Sequence, residues 1–163
     1  MQDSDSPKTF ADLGLSPELV AAVEALGWSE PTPIQVTAIP ICLKGGDVVG
    51  IAQTGTGKTG AFLLPSMERV EGGKGLQILV LAPTRELAQQ VCDDSISFSK
   101  GTNLRTGVIY GGVKYGPQLD ALANGYEIMT ATPGRFIDHM GRGNVDLSNV
   151  RVLILDEADR MLD

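Results

Sequence analysis

Short apolar, β-branched runs alternate with helical segments along this chain, which predicts an α/β fold: a parallel sheet with helices on both faces. Two local features agree. Gly57-Lys58-Thr59 falls where a strand gives way to a helix, and Asp156-Glu157 closes the apolar run Val152-Leu153-Ile154-Leu155. Strands are expected near 47–52, 78–82, 106–110, 127–131 and 150–155, with helices near 57–70, 85–100, 117–123 and 134–140.

Upstream of these, residues 1–9 are polar and read as a flexible leader. Ser16-Pro17 provides a cap and a first-turn proline for a helix carrying Leu19, Val20, Val23 and Leu26, and Gly27 ends it. A second helix is expected from Pro33 to about Leu43, closed by Lys44-Gly45-Gly46 and bent at Pro40. Gly72-Gly73-Lys74-Gly75 and Gly141-Arg142-Gly143-Asn144 read as surface turns.

Composition narrows the function classes. A length of 163 residues with 42% hydrophobic content suits one domain with a substantial core. No apolar stretch approaches the roughly 20 residues that span a bilayer, and Met1 to Lys8 lacks the apolar run of a signal peptide, so the cytosol is the expected compartment. Cys42 and Cys92 sit in apolar helical patterns without C-x-x-C spacing and read as reduced thiols in or near the core. The solitary His139 reads as structural. A net charge of -7 argues against holding nucleic acid by bulk electrostatics. Any such contact would be local, through a few Arg side chains, backbone N–H groups and helix N-termini.

The segment Ala52 to Thr59 has the context of a phosphate cradle. Ala52 stands where the strict pattern has Gly, but the turn's demands fall on Gly55 and Gly57, which let the successive N–H groups from Thr54 through Thr56 face phosphates. Lys58 would reach the terminal phosphates and Thr59 would offer its hydroxyl to Mg²⁺. Asp156, at the carboxyl end of an apolar strand, would hold the same ion through water. Glu157 is the best candidate to orient and deprotonate an attacking water. Farther along, Thr132-Pro133-Gly134 reads as a helix start with free N–H groups and a free hydroxyl, to which Arg135 and Arg85 add charge. Pro83-Thr84-Arg85 joins a strand to a helix in a similar way, and Gly111-Gly112 permits close backbone approach.

Gly27 to Gln35, Ala52 to Thr59, Pro83 to Ala88, Gly111-Gly112, Thr132 to Arg135 and Asp156 to Asp159 stand in the order and approximate spacing of the DEAD-box RNA helicases. The chain resembles that family from Phe10 to Asp163, and the bacterial members most. The resemblance implies a RecA-like P-loop NTPase domain over 10–163, including an adenine-recognition motif at 27–35. It further implies ATP and Mg²⁺ as ligands, and RNA bound through its backbone with little sequence preference. By that similarity Gln35 would hydrogen-bond adenine and Phe10 would stack on it, although the residues alone make Phe10 a core aromatic and Gln35 a helix-surface residue. Thr84, Arg85, Gly111, Gly112, Thr132, Pro133, Gly134 and Arg135 would meet RNA. Asp159 would couple the acidic motif to a second RecA-like domain, which these residues do not include.

The family's Ser-Ala-Thr strand is likewise outside this sequence. It would lie between the phosphate-loop strand and the acidic-motif strand, so a mid-sheet gap is expected. Unpaired buried groups there would cost about 1–3 kcal/mol each against a total stability of about 5–15 kcal/mol. The isolated chain would then be unstable, or its two edges would close in a non-native way. Rival readings are a nucleotide-binding fragment without turnover, an RNA-binding or partner-docking fragment without nucleotide affinity, and a DNA-directed helicase of a neighbouring family.

Overall fold

The computed structural model describes residues 9–51 and 56–162. Four short strands, β1 (Ile78–Leu81), β2 (Thr106–Ile109), β3 (Ile128–Ala131) and β4 (Val152–Leu155), pair in the order β2-β3-β1-β4. Every pairing is parallel, with Ile78 opposite Ile128 on one side and Val152 on the other. Because side chains alternate along a strand, each strand feeds both faces. Ile78, Val80 and Ile128 pack with Leu19 and Val23 of α1 (Pro17–Ala25), Ile39 of α2 (Pro33–Leu43) and Leu63 of α3 (Thr56–Glu68). Phe98 of α4 (Arg85–Phe98) joins them. On the opposite face Leu79, Met129 and Ala131 meet Ala121 of α5 (Gly116–Ala123) and Phe136 of α6 (Pro133–Gly141).

Helix boundaries follow local chemistry. Thr32 and Gln35 form a reciprocal capping box at the start of α2, and Thr84 Oγ1 accepts the Leu87 N–H to start α4. Pro40 lies inside α2 as expected, and Pro65 lies inside α3, within the helix expected near 57–70. At the end of α1 Gly27 takes φ +83°, with its N–H on Glu24 O and the Trp28 N–H on Val23 O. These are the two bonds of a Schellman cap, in which the left-handed residue favours glycine. Gly143 ends α6 in the same way, so the turn read at 141–144 is a helix cap. Thr9, grouped with the leader from sequence, exchanges two hydrogen bonds with Asp12.

At the amino ends of the strands sits a buried carboxylate. Glu127 is 1% exposed and accepts hydrogen bonds from the Arg105 backbone N–H (2.7 Å), the Arg105 guanidinium (3.0 Å) and the Gly73 N–H (3.0 Å). Gln77, also buried, ties the same turn through Glu71 and Gly75. Three chain segments are thereby fastened where the strands begin.

The opposite flank of the sheet differs from the sequence expectation. Residues 47–51 are not a strand; they run beside the sheet without joining its ladder, and Ala52 lies outside the described residues. A trough of about 780 Å³ separates them from β4. Val49 and Ile51 are 94% and 95% exposed, and Leu153 and Leu155 of β4 are half exposed. The physical reason is a missing neighbour: β4 spends one edge on β1, and no described residue supplies a strand for the other. The expected gap is therefore present, and the two edges have not closed on each other.

The Glu127 clamp makes stability depend on pH. Burial alone would raise this carboxyl, but the Arg105 hydrogen bond and the two backbone N–H groups outweigh it and hold it below the ordinary glutamate range. A carboxyl lowered in the folded state contributes stability above its unfolded value, about pH 4.3, and loses it as pH falls through the folded value. Glu127→Gln should be less stable than the parent at pH 7 by about 2 kcal/mol in urea unfolding. The difference should shrink as the pH is taken below 4; a gap independent of pH would contradict the clamp.

Candidate functional site

Parallel pairing places the carboxyl ends of all four strands along one border, and the sequence-predicted motifs lie there. Lys58 and Thr59 are in the first turns of α3, both partly buried. Asp156 follows β4 directly, its N–H donating to Leu81 O at 2.9 Å. Burial raises the Asp156 carboxyl above its ordinary value, the nearby Lys58 charge opposes the rise, and Glu157 adds to it. Lys58, Glu157 and Asp159 border the same trough. Residues far apart in sequence are thus brought to one place: a cation and a carboxylate whose ionised form a second cation would stabilise. Thr54 and Gly55 lie outside the described residues, as does the side chain of Thr56, so their expected part in the cradle is not described.

Glu157 occupies the left-handed region, with φ 49° and ψ 51°, and is alone in this among described residues other than glycine. Such a conformation costs roughly 1–3 kcal/mol and recurs where a side chain must be aimed. Its carboxylate is engaged with Arg160 at 2.6 Å. Asp159 sits in the following short helical turn and is exposed.

The segment expected to recognise adenine is tied to the start of α3. Gln35, read from its residue pattern as a helix-surface side chain, is 1% exposed. Its Oε1 accepts the Thr32 N–H (2.9 Å), and its Nε2 donates to Gly57 O (3.1 Å). One amide hydrogen and one lone pair remain. Gly57 has no room for a side chain, since a Cβ there would lie 2.8 Å from Thr32 Oγ1. Spacing alone marked Gly57 as a phosphate-loop glycine; its contact with the Thr32 cap carried no signal in the sequence. Phe10 needs a correction. Its ring is 3% exposed and packs on Trp28 at 6.2 Å, in the main core cluster, so it offers no open face to a base. Trp28, not singled out from sequence, bridges Phe10 and Phe98.

The other end of the border carries the remaining motifs. Arg85 lies over the Tyr110 ring at 5.0 Å, and its guanidinium would be 3.3 Å from a Cβ on Gly112, whose φ is +82°. Thr132 donates its N–H to Ile109 O and starts α6, with no capping bond from its hydroxyl and with Pro133 in the first turn. That leaves the hydroxyl and the Gly134 end of the helix open, as expected. Arg135 departs from expectation. Its guanidinium turns inward to Val113 O (3.1 Å) and stacks on Tyr115 at 4.2 Å instead of standing free for a phosphate.

Gln35→Leu would leave the Thr32 N–H and Gly57 O without partners. The expected cost is about 1–3 kcal/mol in thermal or urea unfolding, while Thr37→Ala, on the exposed side of the same helix, should change stability by less than about 0.5 kcal/mol. Equal effects for the two would show that the Gln35 bonds do not couple helix and loop.

Comparison with known proteins agrees with this geometry. Residues 32–163 match the DEAD/DEAH box helicase family. The chain is 51% identical to the ATP-dependent RNA helicase DeaD of Escherichia coli (strain K12), over 94% of this chain and 25% of that protein. It is also similar to the crystal structure of a DEAD box protein from the hyperthermophile Methanococcus jannaschii. The TM-score is 0.90 at 42% identity, covering 96% of this chain and 43% of that one. The chain therefore spans about a quarter of the bacterial relative's length. With the match running from the Thr32 cap through the acidic motif, and the same fold in a relative of known structure, the chain belongs to the DEAD/DEAH box helicase family.

Proposed function

We propose that these residues are the ATP-binding portion of a cytoplasmic, ATP-dependent RNA helicase, in which nucleotide binding is coupled to RNA binding and local duplex opening. The observation that carries this reading is that Lys58, Glu157 and Asp159 line one trough at the carboxyl border of a parallel sheet, where α/β folds take their ligands, with the Lys58 charge acting on Asp156. Lys58 balances charge on the terminal phosphates, and Gln35, buried here between the Thr32 cap and Gly57, reads the adenine edge once its amide is uncovered. Thr59 and Asp156 would hold Mg²⁺, which supplies charge neutralisation at the phosphates. Glu157 orients the attacking water once its contact with Arg160 is released.

At the other end of the border, Thr84, Arg85, Gly111, Gly112, Thr132, Pro133 and Gly134 face the phosphates of a single RNA strand. Arg135 serves that surface from behind. The reduced thiols Cys42 and Cys92 fit a reducing compartment.

One observation favours binding without turnover by these residues alone. Glu157 is paired with Arg160 beside the trough, so its carboxylate is not free to hold an attacking water.

A fluorescent ADP analogue with Mg²⁺ should bind the chain in the micromolar range, and Lys58→Ala should weaken it by about 10- to 100-fold, as expected when one charge-assisted hydrogen bond of about 1.5–3 kcal/mol is removed. RNA binding retained by Lys58→Ala would separate the two activities. Undiminished nucleotide binding by that variant would remove the basis of the reading.

A further inference from the structure

We propose that Gln118 and His139 are positioning residues that dock the loop between β2 and α5, which carries Gly111-Gly112, onto helix α6, so that the two phosphate-facing elements act as one rigid surface. The proposal rests on the RNA reading for the use of that surface. Its physical content is a buried polar network that none of the nucleotide chemistry requires.

Gln118 is the junction. It is 4% exposed, and its Nε2 donates to Tyr110 O at 2.9 Å, which fixes its Oε1 as an acceptor. That oxygen takes the Nε2–H of His139 at 3.0 Å and a guanidinium N–H of Arg135 at 3.4 Å. His139 is fully buried, and its other ring nitrogen accepts from Asn144 Nδ2 at 3.2 Å. The directions of these bonds specify a neutral imidazole with its proton on Nε2. Burial first, then the positive charge of Arg135, hold the ring below its ordinary range; Asp138 opposes this and Arg142 adds to it.

Beyond the Tyr110 side chain, which Gln89 and Arg85 hold at the start of the loop, the loop has few ties of its own. Gly111 meets nothing where a side chain would be, Gly112 sits at positive φ, and Val113 is 37% exposed. Its order comes from backbone carbonyls tied to side chains of other elements: Tyr110 O to Gln118, and Val113 O to Arg135. Tyr115 closes the arrangement, with its hydroxyl on the Asp138 carboxylate, its ring edge-on to His139 at 5.1 Å, and Arg135 and Arg142 against its faces. Gln118 and His139, the buried centre of this network, have their polar groups bonded and are costly to separate, so loop and helix move together. This also accounts for the inward turn of Arg135, which shapes the surface without standing in it.

The test uses the whole chain. Hydrogen–deuterium exchange of residues 111–116 is measured in the parent, in His139→Leu, and in His139→Gln, which keeps a donor near the Nε2 position. Binding to single-stranded oligouridylate is titrated over a range of salt. His139→Leu should speed loop exchange by about tenfold while cooperative unfolding is retained. It should also weaken oligouridylate binding by about fivefold, with the slope of log affinity against log salt falling by about 0.7 for each phosphate that is no longer engaged. His139→Gln should restore both. If His139→Leu loses its cooperative transition, Gln118→Met is read against the same expectations. Unchanged loop exchange in these variants, or no recovery with Gln, overturns the docking role whatever happens to RNA. Faster exchange in a chain whose parent does not bind oligouridylate upholds the docking role and removes the RNA reading instead.

Discussion

Parallel pairing of four short strands is the constraint on which the rest of this molecule depends. In a parallel ladder every strand must be re-entered from the same side, so every strand ends on the same border and each crossover element begins there. Helices α4 and α6 both start at that border, as do the turn after β4 and the loop after β2. Helix starts bring unpaired N–H groups and a partial positive charge, which suits them to phosphates. The candidate site residues are gathered by topology, and only then refined by individual contacts.

The two borders of the sheet are held in different ways. At the amino border Glu127 and Gln77 use up their polar groups within the fold, and the chain there is fastened on itself. At the carboxyl border capacity is left over: the Thr132 hydroxyl has no capping bond, and Glu157 sits in a strained backbone conformation. Stability is concentrated at one border and binding capacity at the other, a division expected where ligands must be met by groups that folding has not consumed.

Much of this was legible in the sequence because the signals are local. Four of the five expected strands, and the helices from Pro17, Pro33 and Arg85, follow from apolar periodicity and caps that act within a turn or two. Lys58 and Asp156 were placed by the glycine string and by the end of an apolar run. What was not legible depends on partners distant in the chain. Residues 47–51 have the composition of a strand, yet a strand exists only with a neighbour to bond, and none is present among the described residues. Gln35 looked exposed because its bond to Gly57 O is distant in the chain, and Arg135 looked free until Val113 and Tyr115 engaged it, whereas the residues alone correctly made Phe10 a core aromatic and only the resemblance had turned it toward a base. The buried Glu127 pairs with Arg105 across 22 positions, which no pattern in the sequence announces.

On the proposed function, one border of the sheet takes both ligands, each at its own end. Backbone amide chemical-shift mapping of the chain with Mg²⁺-ADP, and separately with oligouridylate, tests it most directly. The account predicts nucleotide shifts around Gln35, Gly57 to Thr59 and Asp156-Glu157, and RNA shifts around Thr84-Arg85, Gly111-Gly112 and Thr132 to Arg135. The turn at 72–75 and the residues around Glu127 should stay unmoved. Shifts centred on those amino-border residues, or both ligands perturbing one and the same end, would contradict it.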